Sequence, residues 1–200
     1  MTLLNITAEL ERLIADIVRQ KAEFAHIDPN RLLVCTAATR SGGVHGTFAK
    51  IHPLRFAGGN KSTSVRRGRR TVICTMPTVT HRGVEILYQL YFLVPRFFNL
   101  SLREKLITVF HELYHISPAF DGDIRRFPGK NYAHGSSTKR YNDLMASFVD
   151  AYLATPGGNC TPDFLNCTMQ ELRFRYRVIV ARRMKAPRMA ITADTGGVGG

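Results

Sequence analysis

The chain has 200 residues, 44% of them hydrophobic, with 28 Lys and Arg against 15 Asp and Glu, a formal charge of +13. That length and apolar content suit one domain with a real core and exclude a disordered polyelectrolyte, while no apolar run approaches the ~18 residues that a membrane span needs. The charge favours anionic partners such as nucleic acid, or else marks only a basic solvated surface, and it decides nothing about fold.

The N-terminus, "MTLLNITAELERL", lacks the basic n-region of a secretory signal and reads as an amphipathic helix. A cytoplasmic protein without membrane attachment is expected. Cys35, Cys74, Cys160 and Cys167 are spaced as neither a disulfide framework nor a C-x-x-C knuckle. Reduced thiols are the simplest expectation; a second metal site using Cys160 and Cys167 is the alternative.

In chain order, Ile6, Leu10, Leu13, Ile14, Ile17 and Val18 recur at helical spacing, so a helix is predicted over 6–25, capped by Asn5 or Thr7. "RLLVCTAA" reads as a strand, and "SGGVHGTFAKIHPLRF" as a glycine turn into another. "GGNKSTSVRRGRR" reads as a basic mobile loop. "TVICTMP" and "VEILYQLYFLV" read as further strands. Ser101 and Glu104 form an S-x-x-E capping box that opens a helix over 101–117, stopped by Pro118. After a long loop, "KRYNDLMASFVDAYLA" is a second long helix, ended by Pro156 and two glycines. "ADTGGVGG" is a tail with nothing to bury, expected to be disordered.

The helix from Ser101 carries His111-Glu112-Leu113-Tyr114-His115. On a wheel of about 100° per residue, Ser101, Glu104, Thr108, His111, Glu112 and His115 share one polar stripe, and apolar residues fill more than half the circumference. His111 and His115, one turn apart, can aim their imidazoles at one ion. Glu112 is offset and suited to proton transfer from a metal-bound water rather than to ligation. This is the pattern of a zinc hydrolase, against the plainer reading of two hydrogen-bonded histidines on a buried helix. A third ligand is needed. His134 in "AHGSS" is preferred because zinc takes imidazole nitrogen readily; Asp121 or Asp123 could instead ligate, orient a ligand histidine, or form only an Asx turn. Tyr132, Tyr141, Arg125 and Arg126 are candidates for stabilising an oxyanion.

"HELYHISPAFDGDIRRFPGKNYAHG", with the upstream "FAKIHPLRF" and "LYFLVPRFFNLSLREKLITVF", closely resembles the phage metallopeptidase domain family over roughly residues 30–155. The His-Glu-x-x-His followed by a His-Gly pair also resembles the SprT-like metalloproteases, although the interval between His115 and His134 is longer than that group suggests. The resemblance implies a zincin-like α+β fold with an N-terminal helix, a small mixed or antiparallel sheet, an active-site helix and a further C-terminal helix. It implies one zinc ion on His111, His115 and His134, Glu112 as base, and a protein or peptide substrate laid along one of the strands before residue 95. A single domain over 1–190 is expected, with a core of about 30–155, a basic segment over 160–190 and a tail over 191–200.

Two basic segments remain. "SVRRGRR" holds Arg66, Arg67, Arg69 and Arg70, and "RFRYRVIVARRMK" holds Arg173, Arg175, Arg177, Arg182, Arg183 and Lys185. Alternation in "RFRYRV" predicts a strand with arginines on one face. Contacts to DNA or RNA phosphates are one reading, a solvated edge strand the other. The leading expectation is a zinc metalloendopeptidase, near nucleic acid in its action; the alternative is a basic nucleic-acid-binding protein with a structural zinc or none.

Overall fold

A computed structural model describes residues 3–39, 46–128, 138–155 and 162–193. In chain order its elements are β1 (Leu3–Asn5), α1 (Ile6–Gln20), β2 (Leu32–Ala38), β3 (Ala49–Pro53), β4 (Ser62–Arg67), β5 (Arg70–Thr75), β6 (Val79–His81), β7 (Val84–Ile86), β8 (Tyr88–Val94), α2 (Leu102–Tyr114), α3 (Thr138–Leu153), α4 (Met169–Arg175), β9 (Val178–Val180) and β10 (Ala190–Ala193). The architecture is mixed α+β.

The central sheet has the order β2-β8-β3, with β2 parallel and β3 antiparallel to β8. Its middle strand, "YQLYFLV", is a near-continuous apolar run because both of its faces are covered. On one face, Val34, Leu90 and Phe92 join Leu10, Leu13 and Ile14 of α1, Leu106, Val109 and Phe110 of α2, and Met145, Val149 and Tyr152 of α3 in the main core. On the other, Leu33, Cys35, Leu54, Ile86 and Tyr91 form a smaller cluster. Asn5 caps α1 by accepting the Ala8 N–H at 3.1 Å; α1 ends at Gln20, and a 3-10 turn at Ala22–Phe24 finishes the predicted helical stretch.

The C-terminal segment ties separate parts of the molecule together. β9 pairs parallel with β1, and β10 pairs antiparallel with β5. Between them, the Arg182 carbonyl accepts the Thr36 N–H at 2.8 Å, so the free edge of β2 is covered there. β3 is the opposite edge of the sheet.

Several expectations are corrected. The segment read as a mobile basic loop is the β4–β5 hairpin, with Arg67 opposite Arg70 across a Gly68-Arg69 turn. Gly68 has φ +61° while Arg69 is not among the positive-φ residues, the pattern of a type II′ turn. Polar side chains on both faces of β4 hide the alternation that would announce a strand. "RFRYRV" is no continuous strand: α4 runs to Arg175, and β9 starts only at Val178. Thr168 accepts the Glu171 N–H at 3.2 Å and Glu171 accepts the Thr168 N–H at 2.6 Å. This capping box starts a helix that overrides the period-2 pattern and leaves Phe174 96% exposed. The helix expected over 101–117 stops at Tyr114, and "VEILYQLYFLV" divides into β7 and β8 around Leu87. Residues 191–193, expected in the tail, belong to β10; residues 156–161 and 194–200 lie outside the described residues.

Cys35, Cys74 and Cys167 are buried free thiols; Cys160 lies outside the described residues. Among the described residues no helix is long and apolar enough to cross a membrane.

Candidate metal centre

Residues at the start of α2 fix its entry. Ser101 accepts the Glu104 N–H at 3.3 Å and Glu104 accepts the Ser101 N–H at 3.0 Å, completing the predicted capping box. The helix is pinned from below by Lys105, only 1% exposed. Its ammonium donates to the Leu165 and Cys167 carbonyls at 2.7 and 2.8 Å, the kind of pairing that a buried charge requires.

At the other end, His115 is the C-cap but keeps αR geometry (φ −71°, ψ −15°). The i, i+4 relation to His111 therefore survives, and the two Nε2 atoms lie 3.0 Å apart. Arg125 closes this end. Its N–H donates to the His115 carbonyl at 2.6 Å, its Nε donates to the Tyr114 carbonyl at 2.8 Å, and its guanidinium lies 4.1 Å from the Tyr114 ring centre. Cationic donors suit the carbonyl end of a helix.

Tyr141, on α3, backs both imidazoles. Its ring meets His111 edge-on at 4.9 Å and stacks against His115 at 5.7 Å, and its hydroxyl donates to the His111 carbonyl at 3.3 Å. Burial, and then the nearby Glu112, push the phenol upward, so it stays protonated.

Glu112 is 8% exposed and accepts the Ile51 N–H at 2.7 Å. The register of the sheet explains that contact. Leu93 donates to the Phe48 carbonyl, and Leu54 donates to the Leu87 carbonyl. Antiparallel alternation then turns the backbone groups of positions 49, 51 and 53 away from β8, toward the open edge. Burial raises the Glu112 carboxyl to about 7, although the Ile51 hydrogen bond works against the shift.

Asp121 accepts the Asp123 N–H at 3.1 Å, an Asx turn. Asp123 is buried and accepts from the Ile124 and Gly58 amides and from two nitrogens of Arg126. Burial alone would raise its carboxyl, but these donors, Arg126 foremost, hold it below the usual range. Arg126 is thus engaged at Asp123. Among the described residues, no group of three His, Cys, Asp or Glu side chains is placed to hold a metal ion. His134 and Tyr132 lie outside the described residues. Arg66, Arg67, Arg69 and Arg70 sit at the β4–β5 tip, Arg173 and Arg175 on α4, and Arg177 just before β9. The Ile51 amide and Lys105 escape a reading by residue type: a backbone donor carries no side-chain signature, and Lys105 falls at the margin of the polar stripe.

The histidine pair fits a zinc ion. Two imidazole nitrogens on tetrahedral zinc, each at about 2.0–2.1 Å, lie roughly 3.3 Å apart, a few tenths of an ångström from the separation found here. Fold and site together define the class: an α+β chain with a helix-borne His-Glu-x-x-His centre. A family model described as "Putative phage metallopeptidase" matches residues 4–148, a span from β1 into α3 that includes the histidine pair, and the chain belongs to that family. No curated protein and no solved structure matches it.

Proposed function

We propose that the chain is a zinc-dependent endopeptidase of zincin-like fold, with one ion held by His111, His115 and His134 and with Glu112 as the general base. The observation that carries this reading is a buried carboxylate beside two converging imidazoles on one capped helix. His134 is favoured as third ligand because the Asp123 carboxylate is already committed to Arg126 and two amides, and because zinc takes imidazole readily.

A bound zinc ion supplies a Lewis acid and lowers the pKa of its water to about 7. Glu112, buried beside the two imidazoles and held by the Ile51 amide, is placed to take up a proton and return it to a leaving amine. The Ile51 amide fixes one oxygen of that carboxylate, and Tyr141 holds both imidazole planes. Of the two sheet edges, β2 is covered at Thr36 while β3 adjoins Glu112. An extended peptide would therefore lie along β3 and donate to its outward carbonyls, since the Ile51 N–H is engaged by Glu112 and Pro53 has none; such main-chain pairing reads little sequence.

Glu112→Gln tests the mechanism. The variant should retain zinc and lose about 10²–10⁴-fold in hydrolysis of an unstructured protein substrate. Full activity with normal zinc would contradict the role of Glu112.

A further inference from the structure

We propose that the β4–β5 hairpin is an arm that binds duplex DNA by presenting Arg66, Arg67, Arg69 and Arg70 to its groove. The inference is independent of the metal centre. Lys61–Thr75 contains five basic residues and no acidic one. Several arginines elsewhere find carboxylates: Arg55 and Arg31 pair with Glu85, Arg103 with Asp150, Arg126 with Asp123 and Arg182 with Glu11, and Lys61 at the base of the hairpin also reaches Glu85. Among the described residues no ion pair reaches the four arginines of the tip, and all four are exposed.

The register sharpens this. Arg67 stands directly opposite Arg70, and like charges in that position destabilise a ribbon. A local rule broken without compensation inside the protein points to a partner outside it. Cross-strand neighbours share a face, so Arg67 and Arg70 project with Val65 and Val72, while Arg66 projects with Thr71 from the opposite face. Arg69 occupies the turn. Charge therefore rings the tip rather than coating one side, which suits insertion between two walls of phosphates better than docking on a flat anionic surface.

The dimensions agree. Strands of six residues extend roughly 20 Å at ~3.3 Å per residue, and a two-stranded ribbon fits the major groove of B-form DNA. A Cβ added at Gly68 would meet nothing within 4 Å, and residues 66–70 are all exposed, so the turn is open to solvent. The segment Lys61–Thr75 has no aromatic residue on which a single strand could stack, and the major groove of A-form RNA is too deep and narrow for side chains to read. The strand on the far side of β5 adds charge at the base: Arg183, Lys185 and Arg188, all exposed, lead into β10.

The test is fluorescence anisotropy of the full chain with a labelled DNA duplex, its single strand, and an RNA duplex of the same sequence, over a range of salt. The wild type should prefer duplex DNA, with affinity falling steeply as salt rises. Replacing the four arginines together (Arg66→Gln, Arg67→Thr, Arg69→Gln, Arg70→Thr) should reduce the log–log salt slope by about 3–4 and weaken low-salt binding at least ~10-fold. Its thermal midpoint should not fall, because the Arg67–Arg70 repulsion is relieved. Should that variant misfold, Arg69→Gln alone carries the test, with a slope reduced by about 0.9. Arg173→Gln/Arg175→Gln/Arg177→Gln should leave the slope nearly unchanged. The proposal is overturned by absence of salt-sensitive binding, by an unchanged slope in the hairpin variants, or by tighter binding of the single strand or the RNA duplex.

Discussion

Helix α2 and the β4–β5 hairpin handle polar groups in opposite ways. On and around α2, three buried charged groups meet partners within the protein: Lys105 the Leu165 and Cys167 carbonyls, Glu112 the Ile51 amide, Asp123 the Arg126 guanidinium. At the hairpin tip, four arginines crowd within five residues with no carboxylate in reach among the described residues. Desolvation explains the contrast. A polar group buried without a partner costs several kcal/mol, so these three buried charges are satisfied inside the protein, although among the described residues the Nε2 atoms of His26, His52 and Gln89 are buried with no hydrogen-bond partner; an exposed arginine is already hydrated, so its partner can be left to another molecule. In the reading proposed above, the inner region serves chemistry and the outer one association.

That contrast can be broken by substitution. The largest loss of stability is expected from Phe110→Ala, which removes a fully buried ring from between Phe24 and Tyr152; about 3–5 kcal/mol should appear in urea denaturation. Next comes a pH effect. The Glu112 carboxyl titrates near 7 in the folded chain against 4.5 as its ordinary value. A pKa raised by folding gives stability that is complete below the unfolded value and is lost as pH rises through the folded one. Metal-free wild type should therefore lose on the order of 3 kcal/mol between about pH 4.5 and 7 relative to Glu112→Gln, measured by thermal or urea unfolding of both. Parallel pH profiles would show that burying this carboxylate carries no charge penalty. Lys105→Met keeps the apolar stem but strands two buried carbonyls, for about 1–3 kcal/mol. At the small end, Arg67→Thr should change stability by less than ~1 kcal/mol and in the stabilising direction. A large destabilisation there would mean that the tip is built into the fold rather than held out for a partner.

The same physics governs how much was legible in the sequence. Helix α2 was plain because a half-buried helix writes its period into residue type and because Ser101 and Glu104 mark its start. The pairing of His111 with His115 followed from that period alone. The contact between Glu112 and Ile51 did not, since it depends on which backbone groups of β3 face outward, a matter of register with a strand some forty residues away. The hairpin was misread because neither face of β4 is buried and no alternation survives. For α4 the signal was present, Thr168 three residues before Glu171, but the period-2 pattern of "RFRYRV" competes with it, and the local cap wins. The third ligand cannot be placed by residue type, because histidine and aspartate both serve zinc.

The central claim is best tested by the metal content of the untagged protein, measured by mass spectrometry beside His111→Ala and His134→Ala. Close to one zinc per chain is expected, lost in both variants. Zinc lost only in His111→Ala would move the third ligand away from His134. Absence of zinc from the wild type, even after reconstitution, would contradict the metallopeptidase assignment of the site and leave His111 and His115 as a hydrogen-bonded pair on a buried helix.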